Sequence, residues 1–136
     1  MRKSRLALRA AAAAVSVLSV TAMTTAPASA DEGWCQPGYF CMWGDMNFRG
    51  RFLALHGDSG VEKANFGDWY NDLMTSYWNR SNRIYLVFEH ADYQGACTWA
   101  DPGEKVSRVP QKWQNDSATS ARPFDRERDK RLFCQG

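Results

Sequence analysis

Two six-residue segments place the same polar side chains at the same spacing. Asn71-Asp72-Leu73-Met74-Thr75-Ser76 and Asn115-Asp116-Ser117-Ala118-Thr119-Ser120 lie 44 residues apart. Each supplies an amide, a carboxylate and the hydroxyls of a Thr-Ser pair within one tight loop, and the second adds the Ser117 hydroxyl. Calcium takes six to eight such oxygens in flexible geometry, so the pair predicts two pseudo-symmetric cation sites. The competing reading is purely structural, since Asn, Asp, Thr and Ser also close turns through side-chain-to-backbone bonds without any metal.

The elements that must hold these loops also repeat. Tyr39-Phe40-Cys41-Met42-Trp43-Gly44-Asp45-Met46-Asn47-Phe48-Arg49-Gly50 is echoed by Tyr85-Leu86-Val87-Phe88-Glu89-His90-Ala91-Asp92-Tyr93-Gln94-Gly95. In both, an aromatic (Trp43, Phe88) stands seven positions before a glycine, and a second aromatic (Phe48, Tyr93) two before it; the glycines are 45 residues apart. Such a period marks two copies of one supersecondary unit that cannot bury its apolar face alone. Helical periodicity is absent. Short aromatic and β-branched runs bounded by Gly, Asp, Asn and Pro read as strands at residues 39–43, 51–56, 76–78 and 84–88, with further ones at 96–99, 106–109 and 119–122. Gly50 and Gly95 fall where a hairpin turns back, at positive φ, with Trp43 and Phe88 packed under their own hairpins. Four strands per repeat in a two-layer, all-β sandwich account for the length.

Residues 1–30 read as a signal peptide. Arg2, Lys3, Arg5 and Arg9 open it, an apolar stretch follows, and Ala28-Ser29-Ala30 is a small-x-small cleavage site before Asp31. The apolar run is too short and interrupted for a membrane span. With the leader gone, 13 Lys+Arg oppose 15 Asp+Glu, a net charge of −2. The basic balance of the whole chain thus belongs to the leader, and a general case for nucleic-acid binding goes with it. The remaining 106 residues suffice for one domain, with repeats at about 39–79 and 84–122 and a tail over 123–136. All 18 aromatic residues lie in this part, a density suited to a small β core. Four cysteines in an exported domain favour two disulfides. Of three possible pairings, spacing favours Cys35–Cys41, stapling the first strand, and Cys97–Cys134, tying the tail to the second repeat. The alternating charges of residues 125–131 read as a solvated connector.

The aromatic-x6-Gly hairpin followed by Asn-Asp-x-x-Thr-Ser resembles the Greek-key motif of βγ-crystallins, in particular their microbial calcium-binding branch, over residues 39–122. The leader, Cys35-Gln36-Pro37-Gly38-Tyr39-Phe40-Cys41, Asn47-Phe48-Arg49-Gly50, Tyr70-Asn71-Asp72 and the 89–95 segment resemble the secreted peptidase-inhibitor family typified by an actinobacterial metalloproteinase inhibitor. The resemblance implies a single βγ-crystallin-like domain of two Greek keys, a Ca²⁺-stabilised scaffold, and inhibition of extracellular proteases, the metalloprotease class above all. By the family pattern, one calcium site would use the Leu73 carbonyl and Thr75 hydroxyl with Asp116. The other would use the Ser117 carbonyl and Thr119 hydroxyl with Asp72. Carbonyls near Gly44 and Glu89 would complete them, while Ser76 and Ser120 would bond the folded hairpins rather than the ion. With a single carboxylate per site, the dissociation constant should be on the order of 10⁻⁶ to 10⁻⁴ M. The sequence departs from the family type in one respect: Cys97 has no nearby cysteine to close a reactive loop, so the inhibitory segment is not assigned by resemblance. Residues 57–65 and 98–105 are the two long inter-strand candidates.

Other constellations carry less. Gly57-Asp58-Ser59-Gly60 resembles the nucleophile region of chymotrypsin-like proteases, but Val61 follows, the chain is too short for a double barrel, and His56 and His90 are its only histidines. A triad needs a base and an orienting acid placed around the serine, so the segment reads as a turn and the protein as no enzyme. Trp69, Trp78, Trp99 and Trp113 could line a sugar-binding face, but core packing explains most of them. Asn79-Arg80-Ser81 and Asn115-Asp116-Ser117 fit the glycosylation sequon. The expectation is a secreted, monomeric inhibitor with an extracellular protease as partner; the alternative is a calcium-binding structural or binding module without inhibitory activity.

Overall fold

The computed structural model describes residues 32–110 and 117–134; residues 1–31, 111–116 (with Trp113, Asn115 and Asp116) and 135–136 lie outside them. Seven strands form among the described residues: β1 (Tyr39–Asp45), β2 (Arg49–His56), β3 (Ser76–Asn79), β4 (Tyr85–His90), β5 (Gln94–Ala100), β6 (Lys105–Val106) and β7 (Ser120–Pro123). A short helix, α1 (Arg126–Asp129), follows. One antiparallel sheet has the order β2-β1-β3-β6 and the other β5-β4-β7.

The two sheets do not divide at the repeat boundary. β6, from the second repeat, pairs with β3 of the first, and Lys63 of the first bridges to Ala121 in β7. Each Greek key therefore lends its edge to the other sheet. Matching backbone bonds secure the exchange: the Val109 amide donates to Thr75 O and the Phe66 amide to Thr119 O, both at 2.8 Å. The Asn47 amide donates to Ser107 O and the Asp92 amide to Ala64 O, again at 2.8 Å. The strand expected over 106–109 is correspondingly short. Val109 is instead a buried loop residue that caps the core.

Alternation along β1 and β4 sends Phe40 and Met42, and Tyr85 and Val87, into one shared core with Leu55, Phe66, Tyr70, Met74 and Ala121. Phe40 stacks on Tyr85 across the sheets at 4.8 Å. The outward residues Cys41, Trp43, Leu86 and Phe88 are buried as well, because each hairpin folds over its own sheet. Phe48 packs edge-on against Trp43 at 5.3 Å, and Tyr93 against Phe88 at 5.8 Å. Gly50 and Gly95 take φ of 79° and 81°; a Cβ at Gly50 would meet Asp45 Oδ2 at 2.5 Å. The fold-over also places Asn47, Phe48, Asp92 and Tyr93 at positive φ; Asn and Asp favour that region, but the aromatic residues after them do not.

Both disulfides form in the expected pairing, Cys35–Cys41 and Cys97–Cys134, and each covers the outer face of one sheet. Residues 125–131 depart from a solvated connector. Asp125 caps α1 through bonds from the Glu127 and Arg128 amides. Asp129 is buried in a two-pronged ion pair with Arg122, at 2.8 and 2.6 Å. Arg122, itself buried, lies over the Phe88 and Tyr93 rings, so its charge needs a partner at that depth.

Candidate functional site

Each hairpin ends in a cleft where its bulge meets residues of the Asn-Asp motifs. The β1/β2 register shifts between Trp43 and Asp45, and the β4/β5 register between Phe88 and His90. Gly44 and Glu89 thus drop out of the ladder, as bulge residues do. Each lines the cleft of its own hairpin. The motif loops dock by equivalent bonds: the Thr75 amide donates to Trp43 O and the Thr119 amide to Phe88 O, both at 2.9 Å. Ser76 Oγ donates to Asp45 O at 2.7 Å and accepts from the Phe48 amide. Ser120 Oγ likewise donates to His90 O at 2.6 Å and accepts from the Tyr93 amide. The two serines are therefore structural ties of the folded hairpins.

One cleft brings together Asp72, Ser117 and Thr119, from motifs of opposite repeats, with Glu89, His90 and Asn71. Thr119 Oγ1 lies 3.2 Å from Asp72 Oδ1 and 3.4 Å from the Ser117 carbonyl. Asp72 is held at φ 58°, with its amide donating to Ala118 O. Asn71 Oδ1 is buried without a hydrogen-bond partner, a costly state for an acceptor. A carboxylate, a hydroxyl, a carbonyl and an unsatisfied amide oxygen are hard donors, and this set fits a calcium ion. Asn71 was read as part of the motif but not as a ligand candidate; it directly follows the fully buried Tyr70.

The other cleft is lined by Gly44, Asp45, Met46, Asn47 and Thr75, together with Arg49 and Arg108. Thr75 Oγ1 lies 3.5 Å from the Leu73 carbonyl, while Asp116 lies outside the described residues. Among the described residues two guanidinium groups stand there against the single carboxylate of Asp45 and oppose a divalent cation, so the described linings of the two clefts are chemically unequal. No cluster of three or more His, Cys, Asp or Glu side chains suited to a metal occurs among the described residues.

The remaining motifs resolve by burial. Residues 57–60 form a turn closed by the Gly60 amide on Gly57 O. His56 Nδ1 accepts from the Ser59 amide and its ring packs on Tyr39, while His90 Nε2 lies 3.8 Å from Glu89 Oε2 at the surface. Asn79 is wholly buried and donates to Arg83 O and Ala100 O, which removes the first sequon as a glycan acceptor. Core packing does not account for the tryptophans as expected. Trp69 and Trp99 are exposed and Trp78 is half-buried beneath Arg80 and Lys105; the deep position is Trp43 alone among the described tryptophans. Of the two loop candidates, 57–65 is pinned by the Lys63–Ala121 bridge and by Asp58 accepting from the Asn82 amide. Within 98–105, only a tight turn over 101–104 separates β5 from β6.

Comparison with solved structures places this architecture among βγ-crystallin domains. It is similar to a structure described under the evolution of the eye lens βγ-crystallin domain fold (TM-score 0.57, 18% identity, 67% of this chain and 91% of that one). It is also similar to a βγ-crystallin from Ciona intestinalis (TM-score 0.53, 21% identity, 64% and 100%) and to a βγ-crystallin domain from Clostridium beijerinckii (TM-score 0.52, 20% identity, 63% and 97%). At these identities the likeness shows the fold. Comparison with curated protein sequences returns no match. Residues 28–100 match peptidase inhibitor family I36. Since that match spans more than half of the sequence, the chain belongs to peptidase inhibitor family I36, a non-enzymatic protein on a βγ-crystallin fold.

Proposed function

We propose that the mature chain is an exported monomer that inhibits extracellular proteases, the metalloprotease class first, on a calcium-stabilised scaffold. Family membership carries the inhibitory part. An inhibitor must present a rigid segment to a protease cleft at little ordering cost. A disulfide on the outer face of each sheet supports that rigidity. Export is supported by the oxidised cysteines and by the basic-apolar-small leader pattern. Inhibition of a thermolysin-like and a subtilisin-like protease by purified mature protein, with calcium and with chelator, is the test. Tight inhibition of the metalloprotease is expected. Simple digestion of the protein, or survival without slowing cleavage of another substrate, would transfer the function to a binding module.

Calcium is supported above all by the unpartnered Asn71 Oδ1 in the cleft that holds Asp72 and Thr119. There the ion would be held by the Asp72 carboxylate, the Thr119 hydroxyl and the Ser117 and Glu89 carbonyls, with Asn71 as an added donor. Bound, it would supply a cross-link between the repeats and a rigid hairpin end. The cleft of Gly44, Leu73 and Thr75, completed by Asp116, is the weaker second site, since Arg49 and Arg108 line it.

A further inference from the structure

We propose that residues 131–134 are the protease-contacting segment, with Phe133 as the anchor that enters an apolar specificity pocket and the Leu132–Phe133 peptide bond lying at the catalytic centre. This rests on the inhibitory reading above and assigns the segment that the family resemblance leaves open. Phe133 is 96% exposed, while the next most exposed large apolar side chain among the described residues is Trp69 at 58%. A phenylalanyl ring held almost wholly in water gains from burial in a partner, and large aromatic anchors dominate protein interfaces.

The backbone that carries Phe133 is clamped on both sides. Upstream, α1 is capped by Asp125 and locked by the buried Arg122–Asp129 pair. The Leu132 amide then donates to Asp129 O at 2.9 Å. Downstream, the very next residue, Cys134, is bonded to Cys97 in β5, and Cys97 is itself buried. The segment thus leaves one rigid anchor and reaches the other within a few residues, already ordered for docking. Around it, Leu132, Trp99 and Phe124 are partly exposed and border a cavity of about 220 Å³ floored by Ile84 and Leu86. An exposed aromatic anchor beside a mostly apolar patch, with Asp101 at its border, is the anatomy of a contact site. Neither loop candidate carries an anchor as exposed as Phe133: within 57–65 the exposed large apolar residue is Val61 at 40%, and within 98–105 it is Trp99 at 42%, which lies on β5 and borders this same cavity.

The partner is a protease whose pocket takes a large apolar residue on the amine side of the cut bond. Hydrolysis would add water across the bond, leaving a carboxylate on Leu132 and an amine on Phe133. Both new ends stay attached: Leu132 through the main chain, Phe133 through the Cys134–Cys97 disulfide. The cut ends remain side by side at high effective concentration, so resealing competes with release.

The test compares the mature wild type with Phe133→Ala and Phe133→Leu against a thermolysin-like protease, by inhibition constant and by mass spectrometry after partial cleavage. Phe133 makes so little contact that both variants should melt with the wild type. Phe133→Ala should weaken inhibition by roughly 30-fold or more, with Phe133→Leu restoring most of it. The clipped wild type should gain the mass of one water, stay in one piece without reductant, and separate at Leu132–Phe133 with it. Inhibition by the wild type that Phe133→Ala leaves unchanged, with cleavage elsewhere, overturns the segment and spares the inhibitory reading. A wild type that does not inhibit overturns both.

Discussion

Replacing Asp129 by alanine should be among the most damaging single changes in this protein. The Arg122 side chain is 7% exposed and that of Asp129 1%. Both guanidinium nitrogens bond the carboxylate, at 2.8 and 2.6 Å, and the Asp125 amide donates to it at 2.7 Å. Alanine would leave a buried guanidinium over Phe88 and Tyr93 with no counter-charge, and would orphan that amide. Removing one partner of a buried pair costs about 3–5 kcal/mol. At about 4–8 °C per kcal/mol for a domain of this size, Tm should fall by at least roughly 12 °C. Calorimetric melts at neutral pH read this directly. Removing both charges in Arg122→Met/Asp129→Leu should recover most of the loss, because a well-packed apolar pair can replace a buried ion pair. The effect also has a pH signature. Burial pushes the Asp129 carboxyl up, but bonds from Arg122 and the Asp125 amide outweigh it and hold its pKa below the ordinary value. A depressed carboxylate contributes in full above its unfolded pKa of about 3.9 and loses that contribution as pH falls through the folded value. The gap between wild type and Asp129→Ala should therefore be widest at neutral pH and close in acid. A loss under about 1 kcal/mol at pH 7, or a gap constant down to acid, would refute the assignment of a tightly coupled buried pair.

Three further outcomes are expected. Calcium at a hundredfold excess over its dissociation constant should add roughly 2.7 kcal/mol per occupied site, raising Tm by about 10–20 °C; superimposable melts in chelator and calcium, with no binding heat, would remove the ion from the account. Asp72→Ala should abolish the larger part of that response, since Asp72 stands in the cleft free of guanidinium groups, and an undiminished response would refute the ranking of the two clefts. Ser76→Ala and Ser120→Ala should each cost about 1–3 kcal/mol and speed hydrogen exchange at the Phe48 and Tyr93 amides respectively, which those hydroxyls accept; unchanged exchange would count against the tie.

Much of the scaffold was legible from local chemistry. A period of 45 residues with glycine seven after an aromatic specifies two hairpins, because glycine takes positive φ without a Cβ penalty where a Cβ would strike a neighbouring side chain. Strand positions follow from alternation within a few residues, and the cysteine pairing from spacing in an oxidised chain. Serine roles were legible by resemblance, since a hydroxyl at that place can reach a hairpin carbonyl. The exchange of edges between repeats was not. β6 and Lys63 carry no mark of the sheet they join, and their choice is made by the burial of Val109 and Phe66 across the molecule. Positive φ at the aromatic residues Phe48 and Tyr93 is likewise imposed by their packing onto Trp43 and Phe88. Two motifs of matching pattern also predict equal cation sites, whereas Arg49 and Arg108 line only one of the two clefts as described. The charge-alternating tail reads as solvated because sequence shows its composition and not the depth of Arg122. Local pattern thus determined turns, strands and staples, through interactions spanning a few residues. Tertiary packing alone decided which repeat completes which sheet, which cleft suits a cation, and that Asp129 turns inward while Phe133 faces water. Those outcomes depend on side chains brought together across the chain, whose depth and charge are set only when both sheets close.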